Sequence, residues 1–265
     1  TKVWDDNNNQ DGVRPVNVTV VLLADGGVIG TATLNASNNW YYSFADLPVY
    51  SNGKAIVYSI EEVSVANYTV VISNDTAYVF TVTNSHVPVV TGVNVSKVWD
   101  DNNNQDGVRP VSVTVVLKGD GDVVGTATLN ASNNWSASFE DLPVYSKGKL
   151  IEYSVEEVNV ANYTSVVIVD SAYSFIVNNT HVPVVTDVSV VKVWNDANDQ
   201  DGVRPAEVTV VLVADGNVAG TATLDASNNW SVSFSDLPVY NNGKLIEYSV
   251  EEVSVANYTT AISND

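Results

Sequence analysis

The sequence has no cysteine and no methionine, and it contains few basic residues. Without cysteine no disulfide can stabilise the chain, which excludes the small secreted folds that depend on disulfide frameworks. Only 11 Lys and Arg residues oppose 31 Asp and Glu residues, giving a formal net charge of −20. This charge disfavours nucleic acid and anionic membranes as partners. No apolar run approaches the roughly 20 residues of a membrane-spanning helix, so we expect this segment not to contact a membrane.

Other absences concern the two ends of the sequence. There is no initiating methionine, and neither end carries a signal peptide, a sorting signal or a tail. We therefore expect the chain to be an interior piece of a longer protein.

One sequence unit occurs three times in the chain. The stretch KVWDDNNNQDGVRP at Lys2–Pro15 returns at Lys97–Pro110, and an edited copy, KVWNDANDQDGVRP, lies at Lys192–Pro205. Both steps are 95 residues, from 2 to 97 and from 97 to 192. A fixed period is typical of tandem domains. We expect three domains, the last of which lacks its final strand: 1–87, 88–182 and 183–265.

Hydrophobic periodicity predicts an all-β fold. Apolar residues often recur at every second position, which is typical of a strand with one buried face. Val93, Val95 and Trp99 show this alternation, and Lys97 falls on the same face. No stretch shows a sustained helical period. In the first unit we expect seven strands, near residues 1–4, 16–22, 28–34, 40–44, 56–62, 68–72 and 78–84. Seven short strands in about 100 residues predict an immunoglobulin-like sandwich, and three sandwiches in a row predict a rod.

Polar residues occupy positions of apolar parity in every unit. In the first unit they are Lys2, Glu62 and Asn84, each on a different strand. The equivalent residues of the later units are Lys97, Glu157 and Asn179, and then Lys192 and Glu252. An unpaired buried ammonium is very costly, so the lysine must be neutral, paired or chemically consumed. Two interpretations stay open: a buried ion pair beside a hydrogen-bonded amide, or a reactive site.

The reactive interpretation follows from the chemistry of an apolar site. There a lysine loses its proton and becomes a nucleophile, whereas a glutamate gains a proton. A protonated glutamate can hydrogen-bond the asparagine amide and polarise its carbonyl. The amine then attacks, ammonia leaves, and an Nζ–Cγ isopeptide bond remains, because folding holds the groups in proximity. One turnover within one molecule is self-processing, so we expect neither enzyme activity nor a cofactor.

Motifs spread over the whole unit carry a family resemblance. KVWDD…NQDG-RP is followed by W…F-DLP-Y, by GK-I-YSVEE, and by a last strand ending V-N before His-Val-Pro. In this order and spacing they resemble the Cna B-type domain of surface proteins, the B repeat of collagen adhesins. The resemblance implies a reverse immunoglobulin-like fold and an autocatalytic Lys–Asn isopeptide bond assisted by Glu. By motif position it implies the bonds Lys2–Asn84, assisted by Glu62, and Lys97–Asn179, assisted by Glu157.

The third unit departs from this pattern. Lys192 and the assisting Glu252 are present, but the counterpart of Asn179 would fall 95 residues later, at position 274, beyond Asp265. The partner of Lys192 is thus absent from the chain. Either the chain is an excerpt, or a neighbouring molecule supplies the last strand; we favour the excerpt.

Other residue groups are weaker candidates for a function. A calcium loop is loosely suggested by Asp5, Asn7, Asn9 and Asp11, but its sixth position lacks glycine, and a loop of Asx turns is the alternative. We otherwise expect no metal. Sequons occur at Asn17, Asn67, Asn162 and Asn257, where chance and glycosylation are equally good explanations.

The remaining repeated residues suggest structural roles. We expect Arg14, Arg109 and Arg204 to anchor the first loop of each unit to a carboxylate. His86 and His181 lie in the joints, which run 13 residues from Asn84 to Lys97 in the first case, and we interpret both as spacers. Trp40 and its copies are expected in the core.

With the family resemblance, the sequence predicts a structural role outside the cell. Because each lysine lies on the first strand and each asparagine on the last, a bond between them would carry tension past the sandwich. We expect the stalk of a cell-surface adhesin, whose host or cell-surface ligand is bound by domains outside this chain. Alternatives are a ligand-binding module acting through its repeated copies, and a fibre subunit joined to neighbouring copies by strand donation. A hydrolase is disfavoured, because no Ser/His/Asp set or metal cluster recurs.

Overall fold

The computed structural model of this protein describes residues 1–264, and nearly all of its regular structure is β-strand. The strands of the first unit are β1 (Lys2–Asp5), β2 (Asn17–Ala24), β3 (Gly27–Asn35), β4 (Tyr50–Ser51), β5 (Lys54–Ala55), β6 (Tyr58–Glu62), β7 (Thr69–Thr76) and β8 (Val79–Ser85). Those of the second are β9 (Val90–Asp100), β10 (Ser112–Gly119), β11 (Asp122–Asn130), β12 (Ser136–Pro143), β13 (Tyr145–Ser146), β14 (Lys149–Leu150), β15 (Tyr153–Glu157), β16 (Thr164–Ser171) and β17 (Ser174–Thr180). Those of the third are β18 (Val185–Val191), β19 (Glu207–Ala214), β20 (Asn217–Asp225), β21 (Ser231–Pro238), β22 (Tyr240–Asn241), β23 (Lys244–Leu245) and β24 (Tyr248–Glu252). Short 3₁₀ turns occur at Ala36–Asn38 and Ala131–Asn133, and no helix among residues 1–264 has the length and apolarity needed to cross a membrane.

The second unit displays the sandwich most completely. One of its sheets has the strand order β12-β9-β17-β16, and the other has the order β11-β10-β15. Strands β9 and β17 run parallel, whereas the other neighbouring strands are antiparallel. The core takes Val93 and Val177 from the first sheet and Val115, Leu117 and Leu129 from the second. The prediction of an immunoglobulin-like sandwich is confirmed.

Alternation in the sequence corresponds to alternation in burial. Along β10 every second residue from Val113 to Gly119 is buried. On β2 the matching residues Val18, Val20 and Leu22 are buried as well. The sequence also predicts Val16 on this face, but Val16 is 82% exposed, because the chain enters the sheet only where β2 begins.

The fourth predicted strand of the first unit differs from its copies. The copies form β12 and β21, which pair with residues 90–96 of β9 and with β18. The first unit's counterpart of residues 90–95 would precede Thr1, so the segment 41–48 has no such partner and lies outside the sheets. The prediction of a strand at 40–44 is therefore wrong in this unit, where an open apolar cleft of about 370 Å³ lies beside Tyr42 and Phe44.

The connections between units are shorter than the sequence indicates. Strand β8 ends at Ser85 and β9 begins at Val90, so only residues 86–89 lie outside strands. In the second connection only residues 181–184 do so. Most of the predicted 13-residue joint belongs to the long first strand of the next unit, because its alternating valines pair with β12.

Each connection is covered by a contact between a loop of one unit and a hairpin of the next. The Gly148 N–H, in the β13–β14 hairpin, donates to the Gln10 carbonyl at 3.0 Å. Gly12 faces this hairpin so closely that a Cβ on it would lie 2.4 Å from the Cα of Gly148. The second connection repeats the bond, from Gly243 to Gln105 at 3.0 Å. Glycines with positive φ on both sides let the two backbones approach.

Replacing Gly107 with alanine should separate the second unit from the third. The new Cβ would lie 2.4 Å from the Cα of Gly243, so one backbone must move. Gly202→Ala is the matched control. The φ of Gly202 is +66°, close to the +70° of Gly107, but a Cβ added to Gly202 would have no atom within 4 Å. Both changes should destabilise their own unit by roughly 1–2 kcal/mol, the cost of a left-handed backbone.

The measurement is the distance distribution between spin labels on cysteines introduced at Val123 and Val218, both exposed. Gly107→Ala should broaden this distribution, and Gly202→Ala should leave it unchanged. Equal distributions in the two variants would contradict the close glycine contact.

Candidate functional site

The first and last strands of a unit lie side by side and run parallel. In the first unit β1 pairs with β8, with Lys2 opposite Val82 and Trp4 opposite Asn84. In the second unit β9 pairs with β17 in the same register, and Lys97 lies opposite Val177. Since alternate residues face the same side of a sheet, the lysine and the asparagine both point into the sandwich. Two residues that are 82 positions apart in the chain thus become neighbours on one sheet face.

The predicted glutamate reaches this place from the opposite sheet. Glu62 ends β6, and its Oε1 lies 3.7 Å from the Nζ of Lys2, with both side chains at most 1% exposed. In the second unit the distance between Glu157 and Lys97 is 3.6 Å. Asn84 and Asn179 are fully buried. In each of these two units the predicted lysine, glutamate and asparagine side chains are therefore all buried in the interior of the sandwich.

The lysine ammonium is held by its own strand pair. In the first unit Nζ donates to the Val3 carbonyl at 2.9 Å and to the Val82 carbonyl at 3.4 Å. It also lies 4.1 Å from the centre of the Trp4 ring. These contacts keep the amine against the strand that carries Asn84, two residues beyond Val82.

Sequence reasoning missed the tryptophan of this site. Trp4, Trp99 and Trp194 each lie beside the lysine two positions earlier, and each has a buried Nε1 without a hydrogen-bond partner. The sequence contained a signal for this tryptophan. The tripeptide Lys-Val-Trp occurs in all three units, and its first and third residues face the same side of a strand. Each ring also packs edge-on against a second tryptophan, Trp40 in the first unit, which lies against the core as predicted.

Several buried polar atoms around the lysine have no hydrogen-bond partner. They include both amide atoms of Asn84 and of Asn179, Oε1 of Glu62, and both carboxylate oxygens of Glu157. Buried polar groups are nearly always paired, and an unpaired one costs about 1–3 kcal/mol. Such a cluster, repeated in two units, lowers the stability of the fold and lies at the predicted lysine, glutamate and asparagine.

Burial changes the protonation of the lysine. It lowers the pKa of Lys2 to about 8, although the neighbouring Glu62 opposes the shift. The pKa of Lys97 is lowered to about 8 for the same reason. Neutral amine, the nucleophilic form, is therefore accessible near physiological pH.

The third unit holds the same pair without the amide. Here the Nζ of Lys192 and Oε1 of Glu252 are 2.6 Å apart, a direct ion pair. The Lys192 side chain is 15% exposed, whereas those of Lys2 and Lys97 are fully buried. The counterpart of Asn179 would be at position 274, so only the lysine and the glutamate of the site are seen in this unit.

The loop after the first strand is anchored by a buried carboxylate. Arg14 donates to both oxygens of Asp6, at 2.9 and 2.5 Å, and the Tyr68 hydroxyl donates to the same carboxylate at 2.7 Å. The Arg14 guanidinium lowers the pKa of Asp6 to about 2. The predicted anchoring role of the arginines is confirmed, and the pairs Asp101–Arg109 and Asp196–Arg204 repeat it.

The calcium-loop residues have protein partners. Oδ1 of Asn9 accepts the Arg14 N–H at 2.9 Å, and Oδ2 of Asp11 accepts the Val89 N–H at 2.9 Å. Asn7 donates to Gln10, and Asp5 accepts from Ser85. These are contacts of an Asx-turn loop, and residues 1–264 contain no group of three or more His, Asp or Glu arranged to hold a metal.

Both histidines are bonded in place. Nδ1 of His86 lies 2.9 Å from the Asn67 carbonyl, and Nε2 lies 3.0 Å from Oδ2 of Asp11. His181 repeats both contacts in the second joint. The interpretation of the histidines as spacers is therefore wrong. Their partners lie 19 and 75 positions away, where no local pattern could reveal them.

Removing the loop carboxylates should destabilise the units in a pH-dependent way. A triple variant with Asp6→Asn, Asp101→Asn and Asp196→Asn leaves each partly exposed arginine without its anion. In each of the first two units this should cost about 1.5–3 kcal/mol, the range for a hydrogen bond to a charged group. Because folding lowers the carboxyl pKa, the wild-type advantage is present above the ordinary value and is lost as pH falls through about 2. Urea unfolding at neutral and acid pH measures this difference.

The control changes the neighbouring exposed carboxylates. Asp5→Asn with Asp100→Asn makes the first two units like the third, which already has Asn195. This control should unfold like the wild type. A loss of stability as large as that of the triple variant, or one that persists at acid pH, would refute the role of Asp6 and its copies.

Comparison with known proteins gives matches over the whole chain. The family model of the Cna protein B-type domain matches residues 1–85, 93–180 and 188–265. The chain is 45% identical to a collagen adhesin of Staphylococcus aureus over 99% of its own length, but it spans only 22% of that protein. The crystal structure of two B repeat units of the collagen-binding protein of Staphylococcus aureus is similar with a TM-score of 0.64 and 41% identity, covering 100% of this chain and 71% of that one. The chain belongs to the family of Cna protein B-type domains.

Proposed function

We propose that the chain is a stalk segment of a surface adhesin, in which intramolecular isopeptide bonds link Lys2 to Asn84 and Lys97 to Asn179. The observation that carries this proposal is the parallel pairing of the first and last strands, with lysine and asparagine on one buried face and a glutamate opposite. The unsatisfied amide atoms of both asparagines support it, because the reaction would consume the amide.

The reaction needs only groups within one unit. The ammonium of Lys2 gives a proton to Glu62, so a neutral amine and a neutral carboxylic acid face the Asn84 amide. The acid donates a hydrogen bond to the amide oxygen, and Nζ attacks Cγ. The Cγ–Nδ2 bond breaks as an Nζ–Cγ bond forms, and Nδ2 departs as ammonia with a proton returned through Glu62. Held geometry supplies the effective concentration that makes amide exchange possible.

The bond would give each unit resistance to pulling. Tension enters the second unit through β9 and leaves it through β17, the two strands that the bond joins. Force would then bypass the rest of the sandwich. A cross-link that closes a loop of this length also stabilises by about 4–5 kcal/mol through the unfolded chain. Slow unfolding and resistance to proteases should follow.

The location and the wider role are proposals of the same kind. Similarity to a collagen adhesin supports an extracellular, cell-surface position, with the domains at 1–87, 88–182 and 183–265 serving as spacers. The ligand would then be bound by parts of the adhesin outside this chain. The reaction is a single turnover within one molecule and needs no cofactor. The chain would therefore have a structural role rather than an enzymatic one.

The intact mass of the denatured chain tests the proposal. We expect a deficit of two ammonia molecules, one from each of the first two units. Lys2→Arg or Lys97→Arg should each restore one ammonia, and the double variant should have its unmodified mass. Lys192→Arg should not change the deficit, because its amide partner is not in the chain.

The role of the glutamate has its own matched pair of variants. Glu157→Gln should prevent cross-linking of the second unit, whereas Glu156→Gln, at the exposed neighbour, should leave the cross-link intact. The first unit serves as an internal standard within each variant. An unmodified mass in the folded wild type would refute the proposal and leave Lys2 and Lys97 as paired core residues.

A further inference from the structure

The joint between units contains a histidine whose two nitrogens both face acceptors. Nδ1 of His86 lies 2.9 Å from the carbonyl oxygen of Asn67, which can only accept. Nε2 lies 3.0 Å from the carboxylate of Asp11, whose side chain is 3% exposed. A neutral imidazole has one N–H and can satisfy only one of these acceptors, whereas an imidazolium satisfies both. The arrangement therefore selects the doubly protonated form.

The carboxylate that His86 holds is also the contact to the next unit. Oδ2 of Asp11 accepts the backbone N–H of Val89 at 2.9 Å, and the Val89 carbonyl accepts the Val144 N–H of the second unit at 3.1 Å. The residues beside Asp11, Gln10 and Gly12, make the contact to the Gly148 hairpin. His86 thus fixes the side of the loop on which the second unit docks.

The second joint repeats every part of this arrangement. Nδ1 of His181 lies 2.8 Å from the Asn162 carbonyl, and Nε2 lies 3.0 Å from Oδ2 of Asp106. The same Oδ2 accepts the Val184 N–H at 2.8 Å. Because both joints have the same geometry, the contact between histidine and aspartate belongs to the repeat and is not an accident of one joint.

We propose that each joint is a proton-dependent lock, in which the imidazolium of His86 or His181 holds the loop aspartate that fixes the following unit. When the imidazolium loses its proton, its ion pair with the aspartate is lost, and in the tautomer protonated at Nδ1 the Nε2 hydrogen bond to the carboxylate is lost as well. Asp11 or Asp106 is then held less firmly, and the next unit gains freedom about residues 86–89 or 181–184. The inference is independent of the isopeptide bonds.

The charges around the histidines favour the locked state at neutral pH. The hydrogen bond to Asp11 and the nearby charge of Asp6 raise the pKa of His86, and Asp106 and Asp101 do the same for His181. Tyr68 packs against the His86 ring, and Arg14 is paired with Asp6. From the next unit, the hairpin that packs on the loop brings Lys147 to the first joint and the uncharged Asn242 to the second.

The sign of the pH dependence follows from the raised pKa. The histidine contribution is complete below the ordinary value of about 6.5 and is lost as pH rises through the raised value. The joints should therefore be more ordered near about pH 6 than in alkali.

Two measurements on the intact chain test the lock. Nitrogen NMR of the histidine rings should show both nitrogens of His86 and His181 protonated at neutral pH. Spin labels on cysteines introduced at Val28 and Val123, both exposed, report the first joint, and the chain has no other cysteine. Their distance distribution should be narrow near about pH 6 and broad near about pH 9.

Variants separate the lock from a purely structural role. Asp11→Asn keeps an oxygen for the Val89 N–H but removes the charge that raises the pKa of His86, so this pKa should fall and broadening should begin at lower pH. His86→Gln should give a broad distribution at every pH, while labels across the second joint, at Val123 and Val218, keep the wild-type response.

Other outcomes would overturn the proposal. It fails if either histidine carries a single ring proton at neutral pH, or if the wild-type distribution does not change between about pH 6 and about pH 9. It also fails if His86→Gln retains the wild-type pH response of the first joint.

Discussion

The parallel pairing of the first strand with the last is the constraint on which the rest of the structure depends. Parallel neighbours need a long connection, and here nearly the whole unit is that connection. The pairing brings Lys2 and Asn84 to the same face, and it puts the entry and the exit of the chain on neighbouring strands at opposite ends of the sheet. One element of topology therefore determines both the chemistry that is possible and the direction in which a unit is loaded.

The buried polar groups oppose the stability of the fold that contains them. A sandwich with apolar residues at these positions would avoid burying an amine, a carboxylate and an amide with incomplete hydrogen bonding. In the third unit Nζ of Lys192 and Oε1 of Glu252 lie 2.6 Å apart. In the other two units the same atoms lie 3.7 and 3.6 Å apart, and the isopeptide bond proposed above would remove one unsatisfied atom from each, the amide nitrogen of its asparagine.

Parity predicted that Lys2, Glu62 and Asn84 point inward, although it failed for Val16, which precedes its strand. Parity does not say which strands are neighbours, so the resemblance to a known domain was needed to connect the lysine with the asparagine. The prediction of a fourth strand at 40–44 in the first unit was wrong, because strand formation there depends on a pairing partner and not on the local pattern alone. The Asp11–His86 contact was missed for a similar reason: it joins residues 75 positions apart through loop geometry, which leaves no periodic signal.

If the units are cross-linked, the joints become the weakest elements along the chain. The proposed covalent bond would close each of the first two sandwiches, whereas a joint is held by a few hydrogen bonds and one close glycine contact. Its four residues outside strands can extend to roughly 14 Å at most. Load would therefore first change the angle between units and only slightly their length. His86 and His181 hold the aspartates that set this angle, so the proposed lock would control the stiffness of the segment. The proposed covalent bonds would determine the mechanical strength of the first two units.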